Sequence, residues 1–410
     1  MKEHIPKNDL ADEWKVFGQP LELVPRMKSQ GYSDTYIERR REWLEQRNGC
    51  RLMHVGAYSI SSEEMRGNIE NPIGAAQVPL GLAGPLRVNG QHADGVYYVP
   101  LATTEGALIR SYERGMVALT RAGGVTARVH IDENRVSPIF LFSSVSEAFE
   151  FAQRIPSEFE SIRTAAESTT RHGRLKRIEC QPIGRKVIVG FCYFTGDAQG
   201  MNMIVKATEH ACQWIMKHTR ARSFYIFSGE CSEKRPSGSL FAGGKGKKVT
   251  AGALLPKDLV KSHFRVAPRD LLELWQHTVL GHLQANATGY NAHYANGLAA
   301  IFIACGQDVA NIVNSAVGIT NFELDENDDL YASVTLPSLS VATIGGGTAL
   351  GTSRECLGIL GCAGADRANK FAEIVAATLL AGELSMGGAI ASGEFVAAHE
   401  TYGRNRPSTR

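Results

Sequence analysis

Apolar and polar positions along this chain follow two different rhythms, and the switches between them divide it into regions. Ser33 and Asp34 are capping residues, YIERRREWLEQR is a strong helix former, and Asn48-Gly49 stops it, so residues 1–50 read as a helical N-terminal segment. Its arginine run, Arg39 to Arg41, reads as a solvated face. From 51 to about 125, short apolar runs alternate with Gly and Pro. YYVPL predicts a strand there, and the run from Glu105 predicts a helix opened by Thr103-Thr104 and broken at Gly123-Gly124. Between 126 and 230 the rhythm becomes β-like in TARVHI, PIFLF, KVIVGFCYFTG and RSFYIF, interleaved with the amphipathic helices VSEAFEFAQRI and MIVKATEHACQWIMKHT. The remainder returns to long helical segments, LLELWQHTVLGHLQANATGYNAHYANGLAAIFIACGQD and NKFAEIVAATLLAGELSMGGAIASGEFVAAHETYG. This order predicts an α+β protein in which a small α+β domain, 126–230, is inserted into a larger one made from 51–125 and 231–410.

Composition narrows the function without naming it. Lys+Arg total 44 against 42 Asp+Glu, a net charge of +2 that gives no general grip on nucleic acid or membrane. The first residues are too polar for a signal peptide, and no run of about 20 uninterrupted apolar residues spans a bilayer. The eight cysteines form no CxxC pair, which predicts reduced thiols, and the twelve histidines include no HExxH. These features predict a soluble cytoplasmic protein with no metal. The 42 glycines suggest close backbone approaches to ligands or between helices.

Several polar groups stand in apolar or glycine-bounded contexts. Glu105 in PLATTEGAL is either a helix-start cap or, if shielded, a group suited to proton transfer. Asp308 ends the apolar run IFIACGQD and, if buried, needs a cationic partner; Lys234 in the turn-prone ECSEKRPSGS is one. His399 follows GEFVAA near the end of the last long helix. TIGGGTALG lacks the context of a dinucleotide fingerprint, and AGGKGKKV (242–249) lacks the spacing of a P-loop. GDAQGMNM (196–203) is either a tight turn or a place where backbone amides and a helix N-terminus meet a phosphate.

Taken in order, these stretches resemble 3-hydroxy-3-methylglutaryl-CoA (HMG-CoA) reductase of the NADPH-using class. The resemblance rests on ENPIGAAQVPLGLAGPL, PLATTEGAL, GDAQGMNM, SEKRP, GYNAHYAN, ACGQD, GGGT and AGELS, with a histidine at the matching distance after AGELS. It implies a large, mainly helical substrate and CoA domain, an inserted ferredoxin-like NADPH domain, and a site built between two subunits. By the same resemblance Glu105, Lys234, Asp308 and His399 are the catalytic residues. Lys234 would stabilise the oxyanion, Asp308 would tune it, Glu105 would exchange a proton with the substrate oxygen, and His399 would protonate the CoA thiolate. Thr170, Arg171, Asp197, Gly200, Met201, Asn202 and Arg404 match cofactor positions, with Arg171 opposite the 2′-phosphate. Ser111, Arg114, Ser228, Glu233, Arg235, His293 and Asn296 match substrate or CoA positions. The implied cofactor is NADPH, two per turnover. The implied partners are an acyl-CoA and a second copy of the chain, with no nucleic acid and no membrane.

The departures from the family pattern share a direction. Counted without gaps, Leu141 stands where the family places an arginine for the substrate's terminal carboxylate, at the end of an early strand of the small domain. A second lysine expected before GYNAH is absent from LWQHTVLGHLQAN. SGECSEKRP is one residue short, with Glu233 and Arg235 replacing Asp and Lys, and Gln199 replaces a Met. Residues for hydride and proton chemistry are kept, while those for the acyl carboxylate are altered. Arg135 and Arg235 are the cations available to compensate.

Overall fold

The computed structural model describes residues 15–16, 19–20, 24–26 and 31–402. The chain forms two compact units, Met1–Gln77 and Val78–Arg410. In the first, β1 (Lys15–Val16) pairs antiparallel with β2 (Gln19–Pro20), and helix α1 (Asp34–Asn48) ends where Gly49 turns left-handed and its N–H reaches the Glu45 carbonyl. A short helix α2 (Met53–Gly56) follows. Of the arginine run only part is solvated: Arg40 is buried. Its guanidinium donates to the carbonyls of Pro25 (2.9 Å), Gly31 (2.8 Å) and Pro72 (3.1 Å), so three chain segments satisfy one charge.

In the second unit, β3 (Leu80–Asn89) and β4 (Asp94–Ala102) form a hairpin, followed by α3 (Leu108–Arg121). Helix α3 starts three residues after Glu105, because Ala107 takes a left-handed conformation (φ 72°) that a helix cannot continue through. Strand β5 (Thr126–Val136) continues after Pro138, which cannot donate a ladder bond, as β6 (Ile139–Leu141). Then come α4 (Val145–Arg154), α5 (Phe159–Glu167), the hairpin β7 (Arg174–Ile183) and β8 (Lys186–Phe194), α6 (Met201–His218) and β9 (Ser223–Tyr225). Within this segment the strand order β9-β6-β8-β7, all antiparallel, with helices on one face, is the ferredoxin-like arrangement. Phe140, Phe151, Phe191, Ile204 and Ile215 lie in its core.

The sheet does not stop there. It runs on as β5, β10 (Lys245–Leu255), β12 (Leu330–Leu339) and β11 (Ile319–Leu324), giving eight strands across two hydrophobic cores. The chain after residue 230 is therefore not only helical. Its strands escape a periodicity reading because small Ala, Ser and Gly residues and two buried lysines take inward positions. The helices of this part are α7 (Lys257–Phe264), α8 (Pro268–Gln284), α9 (Tyr294–Ala304), α10 (Ile312–Ser315), α11 (Gly351–Ile359), α12 (Ala368–Ala391) and α13 (Phe395–Tyr402).

Helix α12 is the axis of the large core. Among the described residues it alone is long and apolar enough to cross a membrane by composition, yet 83% of that stretch is buried inside the protein. Its small residues let α3 approach: a Cβ on Gly115 would stand 1.9 Å from the Ala381 carbonyl oxygen. Two acids interrupt the apolar helix. Glu373 accepts from the N–H groups of Gln91, His92 and Ala93, fixing the β3–β4 turn. Glu383 is described below.

Candidate active site

A cleft of about 830 Å³ opens between the start of α3 and the last turns of α12. It gathers Glu105, Ser111, Arg114, His293 and Asn296, all singled out in the sequence, together with Ser385. Ser111 and Arg114 are three apart on α3 and share one face. Ser111 Oγ donates to Ser385 Oγ (3.1 Å); Arg114 Nε donates to the same oxygen (3.0 Å), and its Nη2 donates to the Ser385 carbonyl. The Arg114 guanidinium lies 5.6 Å from the centre of the Phe264 ring, and burial lowers its pKa from the ordinary arginine value. Glu105 is exposed at the cleft mouth rather than shielded; its N–H donates to Thr103 Oγ1 (3.0 Å), and Asn296 Nδ2 donates to its carboxylate (3.3 Å).

His293 is oriented by Glu383, a residue the sequence reading did not single out. The buried Glu383 carboxylate accepts from Ala292 N (2.8 Å), His293 N (2.9 Å), His293 Nδ1 (3.0 Å) and Thr320 Oγ1 (2.7 Å). Burial alone would raise its pKa, but these donors together hold it below the ordinary glutamate value. The available signal was one acid in the middle of TLLAGELSMGG, where an unpaired charge could not persist.

Lys234 and Asp308 form a second centre. Lys234 Nζ lies 2.9 Å from Asp308 Oδ2. Lys234 sits in a left-handed conformation (φ 57°), and its backbone N–H donates to Asn314 Oδ1 (3.2 Å). Asp308 is not a buried acid: the two side chains are 45% and 43% exposed, so an incoming ligand can reach both. The hydrogen bond to Asp308 raises the Lys234 pKa against partial desolvation. Neither residue lines the cleft around Glu105. Asn296 is in the first turn of α9 and Asp308 lies just beyond its last, so the two centres stand on the order of 15 Å apart in one chain.

The residues of GDAQGMNM lead into α6. Gly200 is left-handed (φ 67°), and a Cβ there would meet Thr195 and Met203 at 3.0–3.1 Å. Met201 and Asn202 open the helix, whose first-turn N–H groups point from its N-terminus. Thr170 Oγ1 accepts from His172 N (3.2 Å) and Gly173 N (3.0 Å), and Arg171 beside it is exposed. Asp197 is already engaged: its carboxylate accepts from Asp366, Arg367 and Ala368 N–H at 2.8–3.0 Å, capping α12. Buried polar atoms beside this turn, Asn134 Oδ1 and Gln199 Nε2, have no partner among the described residues.

In the Lys234 loop, Ser228 Oγ donates to the Ser137 carbonyl (2.6 Å), and Glu233 pairs with Lys245 (3.1 Å). The Arg235 guanidinium lies 5.1 Å from the Phe227 ring centre. Leu141 ends β6, between Lys186 and Ser223 in the sheet. The arginine near the end of β5 is Arg135, and it is committed to Glu179 (2.8 Å) and Glu230 (3.2 Å). His399 falls on α13; its side chain and the whole of Arg404 lie outside the described residues.

A family model described as hydroxymethylglutaryl-coenzyme A reductase matches residues 36–404. A 3-hydroxy-3-methylglutaryl-coenzyme A reductase of Methanothermobacter thermautotrophicus is 45% identical over 90% of this chain and 94% of its own length. One of Methanocaldococcus jannaschii is 44% identical over 90% of this chain and 92% of its own. Among solved structures, the class II enzyme of Streptococcus pneumoniae bound to NADPH in open conformations shares the fold, with a TM-score of 0.65 at 21% identity, covering 89% of this chain and all of that one. A match that takes in nearly every element from α1 to α13, on a sheet and helix order shared with a solved member, leaves one assignment: the chain belongs to the hydroxymethylglutaryl-coenzyme A reductase family.

Proposed function

We propose that the protein is a cytoplasmic, NADPH-dependent reductase that converts HMG-CoA to mevalonate and CoA. The observation that carries this reading is the accessible Lys234–Asp308 ion pair, an ammonium beside a carboxylate, with the Lys234 loop tied through Lys245 to α6, the helix of the cofactor turn. A left-handed glycine at a helix N-terminus, with the exposed Arg171 nearby and unpartnered polar atoms beneath, fits the pyrophosphate and 2′-phosphate of NADPH. When bound, that cofactor supplies the hydride. Lys234 would then hold the negative charge that develops on the thioester oxygen, and Asp308 would keep the lysine protonated and aimed. His399 would deliver a proton to the departing sulfur, giving CoA thiol and a bound aldehyde. After a second hydride, Glu105 would protonate the aldehyde oxygen to complete the primary alcohol. The balance is one thioester, two NADPH and two protons to alcohol, CoA thiol and two NADP⁺.

Because Glu105 and Lys234 are a helix length apart within one chain, a shared site calls for two copies, each contributing one centre. Glu105→Gln and Lys234→Ala variants, each inactive alone, are then expected to regain about one quarter of wild-type activity when subunits are exchanged at equal amounts, because half the dimers carry one intact site of two. No recovery after verified exchange would place both groups in one subunit's site.

One observation favours a second reading of the substrate. Arg135 already pairs with Glu179 and Glu230, leaving only its Nη2 without a partner among the described residues, and Leu141 offers no charge where the family pattern has an arginine for the terminal carboxylate. The same chemistry on an acyl group lacking that carboxylate, carried on CoA or on a carrier, follows from this. NADPH oxidation with a panel of acyl-CoA thioesters decides between the two. Turnover of HMG-CoA supports the first reading, and turnover of neutral acyl groups alone would replace it with the second. Tight NADPH binding with no turnover of any thioester would overturn both and indicate a silent relative.

A further inference from the structure

The AGGKGKKV segment folds as the start of β10, and two of its lysines are buried rather than solvated. Lys247 meets Asp132 on the neighbouring strand (2.5 Å), an ion pair within the sheet. Lys245 is different. It is 1% exposed, and its Nζ has two partners from separate parts of the site: Glu233 Oε2 and Met201 Sδ, each at 3.1 Å. Glu233 directly precedes Lys234, and Met201 is the first residue of α6 after Gly200. A thioether is a weak acceptor, so a buried ammonium directed at one is poorly compensated for the water it has lost.

The same point of β10 reaches the Gly200 turn by another path. Lys245 is paired across the sheet with Asn134, whose Nδ2 donates to the Gln199 carbonyl (3.1 Å) and to Thr195 Oγ1 (3.2 Å). Burial lowers the Lys245 pKa, and Glu233 pulls it back up, so the charge is sustained by the residue it positions.

We infer that Lys245 is a positioning residue that sets the Lys234 loop against the α6 turn by holding Glu233 and Met201 at once. This rests on the reading of Lys234 and that turn as catalytic and cofactor groups. A displacement of about 1 Å between hydride donor and oxyanion stabiliser is enough to cost roughly 100-fold in rate. Lys245 is thus expected to matter for cofactor affinity and turnover together, whereas Lys247, an equally buried lysine two residues on, is expected to matter for stability alone.

The test compares Lys245→Met, Glu233→Gln, their double variant and Lys247→Met in the full chain. Its readouts are NADPH affinity by cofactor fluorescence, kcat with HMG-CoA per folded enzyme, and the thermal midpoint. Lys245→Met is expected to raise the NADPH Kd about 10-fold and lower kcat by about 10- to 100-fold. Glu233→Gln should move both the same way, and the double variant should be no worse than the worse single one, since both remove the same link. Lys247→Met should lower the midpoint and leave Kd and kcat at wild type. The inference is overturned if Lys245→Met and Lys247→Met behave alike, or if the two losses at 245 and 233 simply add. Should Lys245→Met fail to fold, wild-type Kd and kcat in Glu233→Gln overturn it on their own. A wild-type chain that does not oxidise NADPH with HMG-CoA removes the proposed function and this inference together; active wild type with unaltered variants removes the inference only.

Discussion

Replacing Lys234 by alanine should lower turnover of HMG-CoA with NADPH by about 10²- to 10³-fold, the range for losing a donor aimed at a developing oxyanion. NADPH binding should stay near wild type, because Lys234 touches Asp308 and Asn314 and none of the residues of the α6 turn. Steady-state NADPH oxidation with a parallel fluorescence titration separates the two effects. Unchanged turnover in Lys234→Ala would remove this residue from the chemistry. Asp308→Asn provides a graded companion. The folded-state pKa of Lys234 is raised by Asp308, so the pair's stabilisation is present below the ordinary lysine value and is lost as pH rises through the raised one. At neutral pH the lysine stays charged in Asp308→Asn, and the loss should be smaller than in Lys234→Ala. The alkaline limb of the pH–rate profile should move to lower pH. The half-exposed setting of the pair keeps its contribution to folding small.

The largest effect on the fold is expected at Glu383. Glu383→Ala leaves four donors facing a cavity in the large core, and breaking such a buried constellation costs about 3–5 kcal/mol. Glu383→Gln keeps the shape and one acceptor oxygen and should cost less. The pH dependence has a definite sign. The folded-state pKa is depressed, so the stabilisation is present above the unfolded glutamate value and is lost as pH falls through the depressed one. Urea midpoints taken from neutral to acid pH should fall in wild type below the ordinary carboxylate range, with a shallower fall in Glu383→Gln. Equal slopes in the two proteins would show that other carboxylates govern acid unfolding. His293 loses its orienting partner in Glu383→Ala, so any folded fraction should also bind CoA thioesters less tightly.

Some helices were legible in the chain: α1 falls where its capping residues and helix formers predict, α4 and α6 where their apolar faces do, and α12 within its run of small and apolar residues. Strand β7 was not recognised, since RLKRIECQPI carries charges on the face that ion-pairs with β5, nor were β10 to β12. The same limit applies to single charges. Arg40, Lys245 and Lys247 look solvated because a polar residue is read by its type, while its burial depends on carbonyls or carboxylates distant in sequence. Glu105, Ser111, Arg114, His293 and Asn296, which stand in separate motifs of the chain, line one cleft. The motifs could not say that Glu105 stands exposed, or that Asp197 is occupied by amides about 170 positions away. Position along the chain constrains residue type; engagement is decided by the tertiary contacts.

Strand β5 belongs to both cores, pairing along most of its length with β10 and through its last three residues with β8. Neither core can therefore melt without stripping hydrogen bonds from the other. Despite its size, Val78–Arg410 should lose structure in one cooperative step rather than core by core. The kinetic side of this arrangement is less favourable. The partner residues of β5 and β10 are more than 100 positions apart, as Asn134 and Lys245 illustrate, so the ribbon joining the cores closes only after the intervening segment has found its place. Until then both strands present unpaired edges, and refolding at high concentration should favour aggregation over recovery.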